Sequence, residues 1–190
     1  VFSGRLRTQK TKWIAGEKTK EVLYRENGCE FRFNVDSCYF SPRLSSERAE
    51  IASKTRKGEN VLVMFGGVAP FAIVIGKHSK AEKIFSVELG RECSKYALEN
   101  VKRNKLNGRV IVLQGDVRRV LPKIKEKFDR IIMPRPRLKD SFLDIAFKKV
   151  KKGGMIHYYG FYSDDEKKYL VELINKEAKI AKKKIKILKI

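Results

Sequence analysis

From residue 60 onward the chain alternates short apolar runs with stretches of helical period, and this alternation limits the possible folds more than any other feature. The runs are Val61–Phe65, Ile84–Val87, Val110–Leu113, Arg130–Met133 and Met155–Tyr159, with helices predicted near 70–78, 91–105, 138–150 and 164–182. Parallel strands need long connections, and helices of that length supply them as βαβ crossovers that cover both faces of a sheet. The predicted class is therefore α/β. Ligands of such sheets sit at the carboxyl ends of the strands near the topological switch point, so chemistry is expected just after each strand.

Residues 1–41 have a different rhythm. Glu21–Arg25 and Cys29–Val35 alternate apolar and polar side chains around Asn27-Gly28, the pattern of a hairpin with a tight turn. A basic cluster (Arg5, Arg7, Lys10, Lys12, Lys18, Lys20) precedes it. Pro42 suits the first turn of a helix over about 42–56, which Lys57-Gly58 ends. The expected organisation is a small β-rich unit, 1–42, followed by the α/β unit, 43–190. The chain begins at Val1 without Met and ends within a strand-like run, Ile185–Ile190, so it is expected to be part of a longer protein.

Lys and Arg number 44 against 22 Asp and Glu, a formal charge of +22, while 42% hydrophobic residues are enough to build a core. The excess charge therefore decorates a folded protein and points to a polyanionic partner, because each phosphate neutralised releases counterions. Nucleic acid is favoured over an anionic membrane, since no apolar run approaches the roughly 20 residues that cross a bilayer. No signal-peptide pattern opens the chain, and the expected location is the cytosol. Cys29, Cys38 and Cys93 form no CxxC and have no paired histidines nearby, so neither a disulfide framework nor a metal site is expected. They read as small buried residues.

The strand ends carry three features in register. Phe65, Gly66 and Gly67 form a tight turn after the first strand, where backbone N–H groups can approach a ligand closely. Glu88 ends the second strand about 21 residues beyond Gly67, placed either to accept from a ribose diol or to cap the helix starting near Gly90. Asp116 follows the third strand, placed to accept from an adenine amine or to cap a helix. Together they point to an adenosine-containing cofactor, either a dinucleotide or S-adenosylmethionine. Pro134-Arg135-Pro136 after the fourth strand occupies the position where nucleotide methyltransferases hold the target base, which favours methyl transfer.

Several blocks carry a resemblance: Glu26-Asn-Gly-Cys-Glu-Phe31, Tyr39-Phe-Ser-Pro-Arg-Leu-Ser-Ser-Glu-Arg48, Phe65-Gly-Gly-Val-Ala-Pro-Phe-Ala72, Glu99-Asn-Val-Lys-Arg-Asn104 and Gly153-Gly-Met-Ile-His-Tyr-Tyr159. They resemble the archaeal and eukaryotic tRNA (guanine-N1)-methyltransferase family, whose members methylate the guanosine just 3′ of the anticodon. The wybutosine-pathway transferases are its nearest relatives. The resemblance implies a class I, Rossmann-like methyltransferase fold, S-adenosylmethionine as cofactor, tRNA as partner and a monomeric protein. It implies Glu47 as the base that takes the guanine N1 proton and Arg7 as the cation that stabilises charge on O6. Tyr39, Phe65, Gly66, Gly67, Glu88, Asp116 and Pro134 are implied around the cofactor, and Arg5, Arg43, Arg48, Arg135 and Pro136 at the RNA. Residue type alone leaves other roles open: Glu47 can pair with Arg43 or Arg48, Tyr39 can anchor the small unit, and His157 can be a buried strand residue. The chain departs from the family pattern at Val63 and Ala69 in the glycine motif, and at Pro134, where an Asn is common. Either a backbone carbonyl replaces that acceptor, or the target base differs, as in relatives that methylate an imidazopurine.

Overall fold

A computed structural model describes residues 3, 4, 6–134, 140–160, 163 and 165–190. Strands β1 (Glu21–Glu26) and β2 (Cys29–Asn34) pair antiparallel from Glu21↔Asn34 to Glu26↔Cys29. Asn27 (φ 48°) and Gly28 (φ 64°) both take the left-handed region that a two-residue hairpin turn requires. In β2 the inward residues Cys29, Phe31 and Phe33 are buried, as the alternation predicts.

The second sheet has five parallel strands, β3 (Asn60–Met64), β4 (Lys83–Glu88), β5 (Val110–Gln114), β6 (Phe128–Met133) and β7 (Val150–Tyr158), in the order β5-β4-β3-β6-β7. The chain runs outward from β3 through β4 to β5, then returns to β3's other side as β6. The switch point therefore lies at β3. Helices α1 (Ser45–Lys54), α2 (Pro70–His78), α3 (Arg91–Arg103), α4 (Val117–Val120), α5 (Leu143–Lys149) and α6 (Lys167–Ile180) complete the α/β layers. Central β3 feeds two cores: Val61 and Val63 join one with α2 and α3, and Leu62 and Met64 join the other with α5. A strand buried on both faces reads as a continuous apolar run.

The hairpin shares the first of these cores, in which Cys29, Phe31 and Phe33 pack with Ile51, Ala52 and Val63. Its outer edge is held by two asparagines of α3. Asn100 accepts from Arg32 N–H (2.7 Å) and donates to Arg32 C=O (3.0 Å); Asn104 does the same with Glu30 (3.0 and 2.7 Å). Four helical residues rise about 6 Å and two strand residues about 6.8 Å, so side chains at i and i+4 match alternate residues of an edge strand. The pair thus substitutes for a neighbouring strand and covers an edge that would otherwise be open.

Three sequence expectations are corrected. Residues 183–190 form no strand, and Ile185, Leu188 and Ile190 remain exposed, because the segment lays no ladder along β7 and so buries no apolar face. Strand β7 starts at Val150, five residues earlier than its apolar core suggested, because α5 stops at Lys149 and the polar Lys151–Gly154 stretch continues the strand. Cys38 and Cys93 are joined as a disulfide across a sequence separation of 55 residues, with Cα atoms 5.5 Å apart, leaving Cys29 as the free, buried thiol. Burial pushes the Cys29 thiol up to about 11. No helix among the described residues is long and apolar enough to cross a membrane.

Candidate active site

At the end of β3 the backbone turns sharply through Phe65 (φ 60°), Gly67 (φ 55°) and Ala69 (φ 67°) before Pro70 opens α2. Gly66 lies so close to β4 that an added Cβ would stand 2.1 Å from Ser86 Oγ. Its N–H donates to Val87 C=O (2.9 Å), which continues the sheet contact one residue past the strand. Gly67 N–H donates to Glu88 Oε2 (2.8 Å), and Gly90 N–H donates to Glu88 Oε1 (2.6 Å). The Glu88 carboxylate thus ties the ends of β3 and β4 together. Burial raises its pKa above the ordinary value, opposed by these backbone donors.

Asp116 caps α4, its Oδ1 accepting from Arg118 N–H (2.8 Å). The capping role is thus observed for both carboxylates, Glu88 accepting from two backbone amides and Asp116 from one, and both also line the same pocket. The Arg118 guanidinium binds Asp140 and Asp144 and lies 4.9 Å from the Phe142 ring centroid. Phe142 meets Phe65 edge to face, with centroids 5.0 Å apart.

One pocket collects the strand ends and the segment that joins the hairpin to α1. Phe65, Gly66, Gly67, Glu88, Asp116 and Pro134 line it, together with Tyr39, Arg48 and Arg7. Arg7 comes from the far N-terminal stretch, held in a turn closed by Ser3 and Thr8, and its guanidinium lies 5.0 Å from the Tyr39 ring centroid. Leu89, Val117 and Phe142 add apolar walls that sequence reasoning missed. Leu89 and Val117 adjoin predicted site residues, so proximity along the chain was a usable signal; Phe142 had none.

Glu47 is half-buried on α1, and its Oε1 accepts from the Tyr159 hydroxyl at 2.6 Å, so neither Arg43 nor Arg48 takes it. Arg43 is exposed on the 3-10 turn Pro42–Leu44 and does not line the pocket. Arg48 lines the pocket yet is only 1% exposed. Its Nε and Nη2 donate to Glu26 (2.5 and 2.6 Å), and Nη2 also donates to Ser41 C=O (3.0 Å). A guanidinium so committed builds the pocket wall. Arg5, Arg135 and Pro136 lie outside the described residues. His157 is a half-buried strand residue whose Nε2 lies 2.7 Å from Arg130 Nη1; desolvation, then the Arg130 charge, pushes its pKa down to about 4. No cluster of metal-ligating side chains occurs among the described residues.

The model of the TRM5/TYW2 methyltransferase domain matches residues 22–188. The chain is 42% identical over 160 residues to the tRNA (guanine(37)-N(1))-methyltransferase Trm5b of Pyrococcus abyssi, covering 84% of this chain and 46% of that protein. The crystal structure of that enzyme superposes with a TM-score of 0.84, over 93% of this chain and 52% of that one, at 38% identity. The structure of Methanocaldococcus jannaschii Trm5 in complex with adenosine superposes with a TM-score of 0.81 at 34% identity, over 91% of this chain and 52% of that one. The tRNA 4-demethylwyosine(37)-methyltransferase Taw21 of Saccharolobus solfataricus is 34% identical over 146 residues, 77% of this chain and 55% of that protein. The chain thus spans about half the length of the curated relatives it matches. With the five-stranded parallel sheet, the glycine turn and the carboxylate-lined pocket all in register, the chain belongs to the TRM5/TYW2 methyltransferase family.

Proposed function

We propose that this protein transfers a methyl group from S-adenosylmethionine to N1 of the guanosine immediately 3′ of the anticodon in tRNA. The observation that carries the reading is a single pocket with Glu88 and Asp116 at the strand ends and Arg7 stacked on Tyr39 in its wall, beside which Tyr159 holds Glu47. The acceptor set suits the cofactor. Each Glu88 oxygen accepts one backbone amide and keeps a second acceptor site for a ribose hydroxyl, while Asp116 serves the adenine amine and Leu89, Val117 and Phe142 serve the purine faces. When bound, S-adenosylmethionine supplies an electrophilic methyl carbon whose bond to sulfur breaks with its electron pair, leaving a neutral thioether.

Guanine N1 is a poor nucleophile until its proton leaves. Glu47, one residue before Arg48 and three after Leu44, both of which line the pocket, takes that proton. The negative charge then spreads to O6, where the Arg7 guanidinium donates hydrogen bonds to it. Tyr39 holds the Arg7 cation over its ring. The target base leaves the anticodon stack to reach this pocket, and the +22 charge holds the surrounding phosphates. In this reading residues 1–42 form the RNA-contacting unit and 43–190 the methyltransferase unit, and the protein acts on tRNA as a cytosolic monomer.

Pro134 favours a second reading, since its side chain offers no hydrogen bond to a guanine amine and it lines the pocket where the target base would be held. A tricyclic imidazopurine base is the alternative substrate. Label transfer from methyl-tritiated S-adenosylmethionine to two unmodified tRNA transcripts, differing only in guanosine or adenosine 3′ of the anticodon, separates the two. Transfer to the guanosine transcript alone is expected; cofactor binding with transfer to neither would move the assignment to a premodified base. A general base contributes about 10²- to 10⁴-fold, so Glu47→Ala is expected to slow single-turnover transfer by that factor with cofactor affinity unchanged. A wild-type rate in that variant would remove Glu47 from the chemistry.

A further inference from the structure

Tyr159 is the first residue beyond β7, and three separate elements hold it. Its N–H donates to the C=O of Met133 at the end of β6 (3.3 Å), and its ring packs against Phe71 of α2 with centroids 5.7 Å apart. Its hydroxyl crosses to α1 and donates to Glu47 Oε1 at 2.6 Å. Phe71 and Pro134, the residue after Met133, both line the pocket, so the phenol is fixed to the pocket's own walls. On the other side of the contact, Arg48 follows Glu47 and is locked to Glu26 and to Ser41 C=O, so the turn of α1 that carries Glu47 is also held.

We propose that Tyr159 is the positioning residue for Glu47, its hydroxyl occupying Oε1 so that Oε2 is the oxygen presented to the substrate proton. The inference rests on the assignment of Glu47 as base. Oε2 accepts from none of the described residues, so one oxygen of the carboxylate is held and the other is available. A half-buried glutamate without a partner can take several rotamers, and a misplacement of about 1 Å can cost on the order of 100-fold in rate. Burial and the adjacent Glu47 carboxylate raise the Tyr159 ionisation well above the ordinary tyrosine value. The hydroxyl therefore stays protonated and remains a donor at any working pH.

The test is single-turnover methyl transfer to the guanosine transcript by the full chain carrying Tyr159→Phe, Glu47→Ala or both. Tyr159→Phe is expected to slow the chemical step about 10- to 100-fold while the KM for tRNA and the cofactor Kd stay within about twofold. In the Glu47→Ala background the same substitution is expected to change the rate less than about twofold, since no base remains to be positioned. A wild-type rate in Tyr159→Phe, or an equal loss in both backgrounds, overturns the inference while leaving Glu47 as the base. A wild-type rate in Glu47→Ala overturns the base assignment itself. Glu47→Asp probes the contact from the other side should Tyr159→Phe not fold: its shorter carboxylate leaves the hydroxyl, and a loss comparable to that of Glu47→Ala supports positioning, whereas a wild-type rate refutes it.

Discussion

The Glu26–Arg48 pair offers a sharp test of what holds the pocket wall, because both side chains are almost completely desolvated, at 3% and 1% exposure. Two charge-assisted hydrogen bonds join them, a third runs from Arg48 to Ser41 C=O, and the guanidinium lies 5.1 Å from the Phe40 centroid and 5.7 Å from that of Phe71. Glu26→Gln keeps the shape and removes the charge, leaving a buried guanidinium without a counter-ion. Breaking one partner of such a pair costs about 3–5 kcal/mol. For a chain of this size each kcal/mol moves Tm by about 2–4 °C, so a fall of roughly 6–20 °C is expected. Replacing both residues, Glu26→Leu with Arg48→Met, removes both charges and is expected to recover most of that loss, because apolar side chains of similar volume escape the desolvation cost. Urea and thermal unfolding of the parent, Glu26→Gln, Glu26→Leu, Arg48→Met and the Glu26→Leu/Arg48→Met double variant at pH 7 measure the cost and the coupling. A cost below about 1 kcal/mol for Glu26→Gln, or a double variant as unstable as the sum of the singles, would refute the reasoning.

Further outcomes follow from groups elsewhere in the parallel sheet. Gly66→Ala places a Cβ 2.1 Å from Ser86 Oγ but 3.4 Å from Ser86 Cβ, so a loss of about 1–3 kcal/mol is expected, and Ser86→Ala in the same chain should restore it. Ser86 Oγ is buried without a hydrogen-bond partner among the described residues, so Ser86→Ala alone should be neutral or stabilising in the same melts. His157 accepts from Arg130 as a neutral ring, among Lys54, Glu50 and Glu59, and its pKa falls from 6.5 to about 4 on folding. The unfolded chain therefore takes up that proton first: the contribution is complete above pH 6.5 and is lost as the pH falls toward 4. His157→Gln keeps an acceptor for Arg130 and removes the titration, so its stability should drop less between pH 7 and pH 4.5 than the parent's, by about 2 kcal/mol. Equal drops in the two proteins would show that His157 does not titrate in that window.

Much of the site was visible before the fold. The glycine turn, Glu88 and Asp116 were placed by strand-end position alone, and all of them face one pocket with Pro134. Arg7 reached the same pocket through the family resemblance, since nothing in its own segment distinguishes it from the neighbouring basic residues. The burial of Arg48 was not legible for a physical reason: a basic residue in a very basic chain reads as surface, and its pairing with Glu26 is what permits burial. Tyr159 carried a usable signal, its place just past the last strand of the sheet, but its acceptor lies 112 residues away.

Local pattern determined whatever depends on contiguous residues. Period-2 and period-3.6 spacing set the strands and helices, Asn27-Gly28 set the hairpin, and the crossover lengths required a parallel sheet with its ligand site at the carboxyl ends. Tertiary structure alone decided the pairings: Tyr159 with Glu47, Glu26 with Arg48, Cys38 with Cys93, and Asn100 and Asn104 with the edge of β2. The C-terminal run Ile185–Ile190 belongs with them, since a strand forms only where a partner edge lies beside it. The reason is the same in each case. A side chain's type specifies what it can bond, but its partner among many equivalent residues is selected by which segments the packed core brings within reach.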